Sequence, residues 1–213
     1  MTTQMDYAAA RKVMVDSQVR VNDVTDRALQ AALLAVPRES FVPGDRGFSA
    51  YAEIEPVIAG DRRLMLARDL SKLLMALEAK QGETALALAA PYAGAVLARM
   101  GLTVTAQESD AAVFEVVGAV LADEGVTTAT APLSQPSGSG YDVIISEAAV
   151  PGRPQAWIDA LAVGGRLAVV ERVGPAGKAV LYIRSEQGVS RRELFDAAPP
   201  VLAELQPEPT FAL

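Results

Sequence analysis

The sequence contains no cysteine and no histidine. Without thiols there are no disulfides and no sulfur nucleophiles, and without imidazole nearly every zinc or haem site is excluded, so no metal is expected. Any chemistry must use carboxylates, hydroxyls, amides, Lys, Arg, Tyr or a borrowed cofactor. Positive charge is also short, with 19 Lys and Arg against 26 Asp and Glu, and basic residues never cluster beyond pairs such as Arg62-Arg63 and Arg191-Arg192. Nucleic acids and anionic membranes need a concentrated positive field, so neither is an expected partner. Long apolar runs are missing as well. The longest, Ala85 to Ala98, is about 14 residues with a proline inside, too short to cross a bilayer. The start, "MTTQMDYAAARKVMV", lacks the basic-then-apolar order of a secretory signal, and a cytoplasmic location is expected.

What is present describes a globular protein. Of 213 residues, 51% are apolar and 21% charged, the profile of a chain with a proper core. At this length one domain with an appendage is expected, and roughly 70% of the unfolded surface can be buried.

The first third reads as helical. "MDYAAARKVMVDSQVR", from Met5, is amphipathic. "VNDVTDRALQAALLAVPRESFVP" offers Thr25 as an N-cap, apolar Val24, Ala28, Leu29, Ala32, Leu33 and Val36, and a stop at Pro37. A looser section covers Gly44 to Gly60. A third helix is predicted over 67–80, with Leu70, Leu73, Leu74 and Leu77 on one face.

After Gly82 the pattern becomes short strands alternating with helices: "TALALAA", "YAGAVLARMG", "LTVTAQE", a helix over about 110–123, "VTTATAPL", "GYDVIISEAA", a helix around "PQAWIDALAVGG", and "RLAVVERVG". Such alternation predicts a parallel sheet wrapped by helices on both faces. "KAVLYIRSE" and "VSRRELFDAAP", joined at Glu186, Gln187 and Gly188, predict a terminal antiparallel hairpin. The fold class is therefore α/β, a Rossmann-like class I methyltransferase arrangement: residues 1–81 form a helical extension packed on the core and 82–213 the Rossmann-like domain. "APLSQPSGSG" reads as a flexible surface loop.

Several segments together resemble the protein-L-isoaspartate O-methyltransferase family, in its bacterial branch. They are "RKVMVDSQVRVNDVTDRALQAALLAVPRESFVP" with its "VPRESFVP" ending, "AYAEIEPVI", "GYDVIISEAAVPGRP", "LAVGGRLAVV" and "SRRELFDAAPPVL", in order over nearly the whole chain. The resemblance implies S-adenosylmethionine as cofactor, methylation of isoaspartyl carboxylates in protein repair, and protein or peptide substrates. The sequence leaves a homodimer open.

Carried over by position, the cofactor candidates are Ala87, Ala89, Pro91, Glu108 and Leu133. The family's acidic residue falls at Ala87, its glycine-rich turn is shortened by about two residues, and no glycine stands between Gly82 and Gly94. Glycines serve that turn because the backbone must bend sharply and approach the ligand without a Cβ. Glu108 keeps the place of the acid that bonds ribose hydroxyls, or is a solvent-exposed strand end. Leu133 stands in the turn near the adenine. The family's Thr-Ile-Ser-Gln-Pro-like string becomes Arg63-Leu64-Met65-Leu66-Ala67, which puts Met65 in the catalytic serine's position; a thioether cannot donate a hydrogen bond. Glu147, at the end of "YDVIISEAA", is a general base, a pocket wall or a solvated carboxylate. Three readings follow: an active methyltransferase; the same fold without cofactor, kept as an interaction or regulatory module with its cavity filled by Leu88, Pro91 and Met65; or a binder of another small ligand near Glu108 and Glu147.

Overall fold

The computed structural model describes residues 6–206, so Met5, where the first helical reading begins, lies outside it. Helix α1 (Tyr7–Met14) starts where the Asp6 carboxylate accepts from the Ala9 N–H at 3.0 Å, and continues through a wide turn (Val15–Val19) to Asn22. Helix α2 (Arg27–Ala35) is capped by Asp26, not by the expected Thr25. The Asp26 carboxylate accepts from both Ala28 and Leu29, at 2.8 and 3.1 Å, and Thr25 stays exposed. Its apolar stripe is buried except for Ala28.

Two short turns and the hairpin β1 (Val57–Ala59) and β2 (Arg62–Arg63) lead to α3 (Ala67–Ala76), which buries Leu70, Leu73, Leu74 and the following Leu77. It stops four residues short of the expected Lys80. Glu78 there takes φ +47°, a left-handed conformation that no α-helix continues through.

The core is a seven-stranded sheet of β3 (Thr84–Leu88), β4 (Thr103–Glu108), β5 (Thr127–Thr130), β6 (Tyr141–Val150), β7 (Leu161–Val173), β8 (Ala176–Ser185) and β9 (Gly188–Asp196), in the order β5-β4-β3-β6-β7-β8-β9. The first five are parallel, and β8 and β9 close the sheet as antiparallel neighbours. From β3 the chain winds outward through α4 (Pro91–Arg99) and α5 (Ala111–Asp123), then returns to lay β6 on the other side of β3. The carboxyl ends of β3 and β6 therefore form the switch point where open α/β sheets bind ligands.

Side chains alternate across β3. Ala85 and Ala87 join a core shared with α1 to α5, and Leu86 and Leu88 join a second one around Trp157. One expectation fails on that second face. The helix predicted around "PQAWIDALAVGG" is a short α6 (Gln155–Asp159), because the Ala160 carbonyl accepts from Gly140 and Tyr141 and Leu161 already pairs with Tyr141, which starts β7 five residues before Arg166. The face is covered instead by the 131–140 segment and by the chain's last described residues. That segment is not the flexible loop its composition suggests. The buried Gln107 amide donates to the Pro132 and Gln135 carbonyls at 2.9 and 3.0 Å and accepts from the Ser137 N–H at 2.7 Å, pinning it to β4.

Candidate functional site

The turn after β3 retains a glycine's conformation without the glycine. Ala89 has φ +51°, a left-handed state costing about 1 kcal/mol for an L-residue, and its N–H is held by the Gln107 carbonyl at 3.1 Å. Pro91 is the first residue of α4, where its missing N–H leaves nothing unpaired. From Ala85 to Leu97 every residue is buried. Helix α4 lies close on the sheet: a Cβ built on Gly94 would come within 3.1 Å of the Ala87 Cβ. Ala87 is thus a packing surface for a helix, on the face opposite Leu88.

The amino terminus of α4 would ordinarily present free N–H groups to an anionic ligand. Here the protein supplies a carboxyl group of its own. One Glu147 oxygen accepts from the Ala93 N–H at 2.9 Å, the other from the Met65 N–H at 3.3 Å, and the side chain is 1% exposed. Burial pushes the Glu147 carboxyl above its usual pKa, opposed by the N–H groups and by the Arg38 charge. Glu147 is therefore a buried wall of the site and not a solvated strand end. Arg38, also buried, donates to the Ala50 and Met65 carbonyls at 2.8 and 2.6 Å and lies 4.7 Å from the Tyr92 ring centre. Met65 is enclosed at 1% exposure, gripped at both its N–H and its carbonyl. Tyr92, fully buried, has its hydroxyl pushed up to about 12 by burial.

Glu108 stands at the end of β4, fully buried instead of solvated. Its Oε2 accepts from Arg62 Nε of the β1–β2 hairpin at 2.9 Å, an ion pair with both side chains at most 5% exposed. Burial pushes its pKa up to about 7; Arg62 opposes this, and the Glu147 and Glu204 charges add to it. Leu133 is buried and occupied at both backbone groups. Its N–H donates to Glu204 at 3.0 Å and its carbonyl accepts from Trp157 Nε1 at 2.6 Å. Arg38, Arg62, Gln107 and Glu204 carry the site's architecture, yet sequence reasoning did not single them out. Their partners lie 12 to 71 residues away, and no local spacing encodes such pairings.

The structure thus gathers Met65, Glu147, Ala89, Pro91, Glu108 and Leu133 around one switch point, with Ala87 turned to the opposite face. Between Arg62, Met65, Glu147, Ala148 and Leu202 remains a cavity of about 40 Å³, room for little more than a water molecule. Three buried polar atoms, Arg38 Nη1, Tyr92 Oη and Glu108 Oε1, have no hydrogen-bond partner among the described residues. Among the described residues no cluster of metal-ligating side chains occurs, and no helix is long and apolar enough to cross a membrane.

No family model matches the chain. Individual relatives do. A protein-L-isoaspartate O-methyltransferase of Methylorubrum extorquens is 34% identical over 200 residues, covering 91% of this chain and 87% of that protein. The chain belongs to the protein-L-isoaspartate O-methyltransferase family. A second member, from Methylorubrum populi, is 33% identical over 90% of this chain and 92% of its own length. The fold agrees with that membership. A solved protein-L-isoaspartate O-methyltransferase superposes with a TM-score of 0.75 over 92% of this chain and 67% of its own, at 18% identity. A Plasmodium falciparum structure assigned to the same family, determined in complex with S-adenosyl-L-homocysteine, superposes at 0.77 over 94% of this chain and all of its own, at 14% identity.

The family's cofactor is S-adenosylmethionine, and the residues here do not fit it in this conformation. Small-molecule sites run to about 300 Å³ and more, against about 40 Å³ for the cavity beside Met65 and Glu147. The groups that would meet a ligand are already paired: the α4 amino terminus with Glu147, Glu108 with Arg62, and the Leu133 N–H with Glu204.

Proposed function

We propose that this chain is a member of the protein-L-isoaspartate O-methyltransferase family whose closed cofactor site keeps it from carrying out the family reaction. The family reaction is S-adenosylmethionine-dependent methylation of isoaspartyl carboxylates. Methyl transfer relies chiefly on positioning, because the cofactor brings the reactive group. A protein that excludes the cofactor therefore loses the reaction whatever its substrate side retains.

One observation carries this reading: Glu147 is seated on the Ala93 and Met65 N–H groups, which occupies the helix terminus at the switch point with the protein's own side chain. Met65 in place of the family's serine agrees with it. A second reading, retention of the family reaction, is favoured by 34% identity over 91% of the chain; it requires the cofactor to expel Glu147. Incubating the protein with methyl-labelled S-adenosylmethionine and an isoaspartyl peptide decides between them. The expected result is no methyl ester above the blank, and turnover would establish the second reading.

A further inference from the structure

One edge of the sheet lies beside a groove that the closed site does not use. Among the described residues β9 pairs only with β8. In an antiparallel pair alternate residues turn their N–H and C=O away from the partner, so β9 presents a row of unpaired main-chain groups. A groove of about 1020 Å³ runs along that row, between β9, α3 and the 21–26 segment. Strand β9 carries one extra residue against Ala179 and Val180, and this bulge lets the consecutive Leu194 and Phe195 both pack on the core that α3 shares. Helix α3 adds Lys72, Met75 and Ala76, half-buried at i, i+3 and i+4 beside its core stripe. The groove is remote from the switch point. Helix α3 begins beside Met65, but its far end lies where the Leu77 carbonyl accepts from Arg166 at 2.8 Å and Arg166 pairs with Glu83, just ahead of β3.

We propose that the β9 edge and this groove dock an extended, basic segment of a protein partner, laid against β9 as an eighth strand. The main chain of the segment pairs with the free groups of β9, and its alternate side chains enter the groove. Charge selects the segment. Four carboxylates, Asp23, Asp26, Glu78 and Glu193, border the groove against two cations, Lys72 and Arg192. Lys72 lies 3.8 Å over the Phe195 ring centre, Asp26 holds the α2 amino terminus, and Glu193 pairs with Arg191 at 3.0 Å. Asp23 and Glu78 are exposed and form no ion pair among the described residues, so they are the carboxylates that a Lys or Arg of the segment reaches. The apolar floor takes the side chains between. A second copy of this chain is a poor occupant. Two copies of β9 lying antiparallel set one residue opposite its own like at the two-fold, and the middle of the strand is Arg191, Arg192 and Glu193. The proposal does not depend on the closed cofactor site.

The probe is a fluorescein-labelled peptide of alternating lysine and valine, about ten residues long, whose anisotropy is followed as the whole protein is added. Saturable binding is expected, with the counterpart carrying glutamate for lysine about tenfold weaker. The double variant Asp23→Asn, Glu78→Gln is expected to bind the lysine peptide about tenfold more weakly than the parent. Both positions are exposed, and asparagine accepts the φ of +61° at Asp23, so the fold is kept, with near-ultraviolet circular dichroism as the check. Methylating the lysine peptide's main-chain nitrogens at every second residue, in each of the two registers, tests the strand pairing itself. Only one register is expected to lose binding, because only alternate N–H groups face β9. Equal affinity for the lysine and glutamate peptides, equal affinity of parent and double variant, equal effects of the two registers, or no binding at all would overturn the proposal. Sedimentation of the protein alone as a dimer that excludes the peptide would also overturn it, by giving the edge to a second copy.

Discussion

The end of β3 and the end of β6 face each other across the switch point, and they differ in what they carry. "YDVIISEAA" has a carboxylate, Glu147, near its end, while "ALALAAPY" carries neither an acid nor a glycine. In space they are one unit, because Glu147 from β6 fills the helix terminus that follows the β3 turn. The amino terminus of α4 is thus occupied from the β6 side. The packing of the β3 turn and the carboxylate of β6 depend on each other.

The most severe way to break that partnership is Glu147→Ala. It strands two buried N–H groups and removes the carboxyl that the buried Arg38 charge influences, at a cost of about 3 kcal/mol, read as a lower urea midpoint. Arg62→Ala tests the opposite wall. Its cost is about 2 kcal/mol, less than for a permanently charged pair, because Glu108 can escape by taking up a proton.

That proton gives a milder probe needing no loss of contact. Glu108 has a folded pKa of about 7 against an ordinary 4.5, so between these values the folded state binds more protons than the unfolded one. Stability from this group therefore rises as pH falls from above 7 towards 4.5. Glu108→Gln is expected to flatten that part of the stability profile; an unchanged slope would place the titration elsewhere. Gly94→Ala presses a methyl against Ala87 at 3.1 Å and is expected to cost about 1 kcal/mol. Smallest of all, Ala89→Gly relieves the left-handed alanine and is expected to stabilise by about 0.5 kcal/mol, the strain relief being partly offset by glycine's greater unfolded entropy.

The sheet was legible in the sequence because its strands are short apolar runs bounded by glycine, proline or capping residues, and the position of Pro91 at the start of α4 followed from its missing N–H. Boundaries set by long-range pairing were not legible. Leu161 enters β7 through its pairing with Tyr141, and the 131–140 segment is ordered by Gln107, a residue on a strand 24 or more positions away. The site divides the same way. Its positions, Met65, Ala89, Pro91, Glu108, Leu133 and Glu147, could be named from the family pattern, but what each does is fixed by Arg38, Arg62 and Glu204, whose roles exist only after folding. A carboxylate at a strand end looks solvent-facing in a sequence. Glu147 and Glu108 are both buried because the helix terminus and the β1–β2 hairpin reach them.

Calorimetric titration of the parent protein with S-adenosylmethionine tests the central claim, that the family's cofactor site is closed by the protein's own side chains. No heat of binding at millimolar cofactor is expected. Saturable binding in the micromolar range would contradict it, since Glu147 would then have to yield the α4 terminus to the ligand.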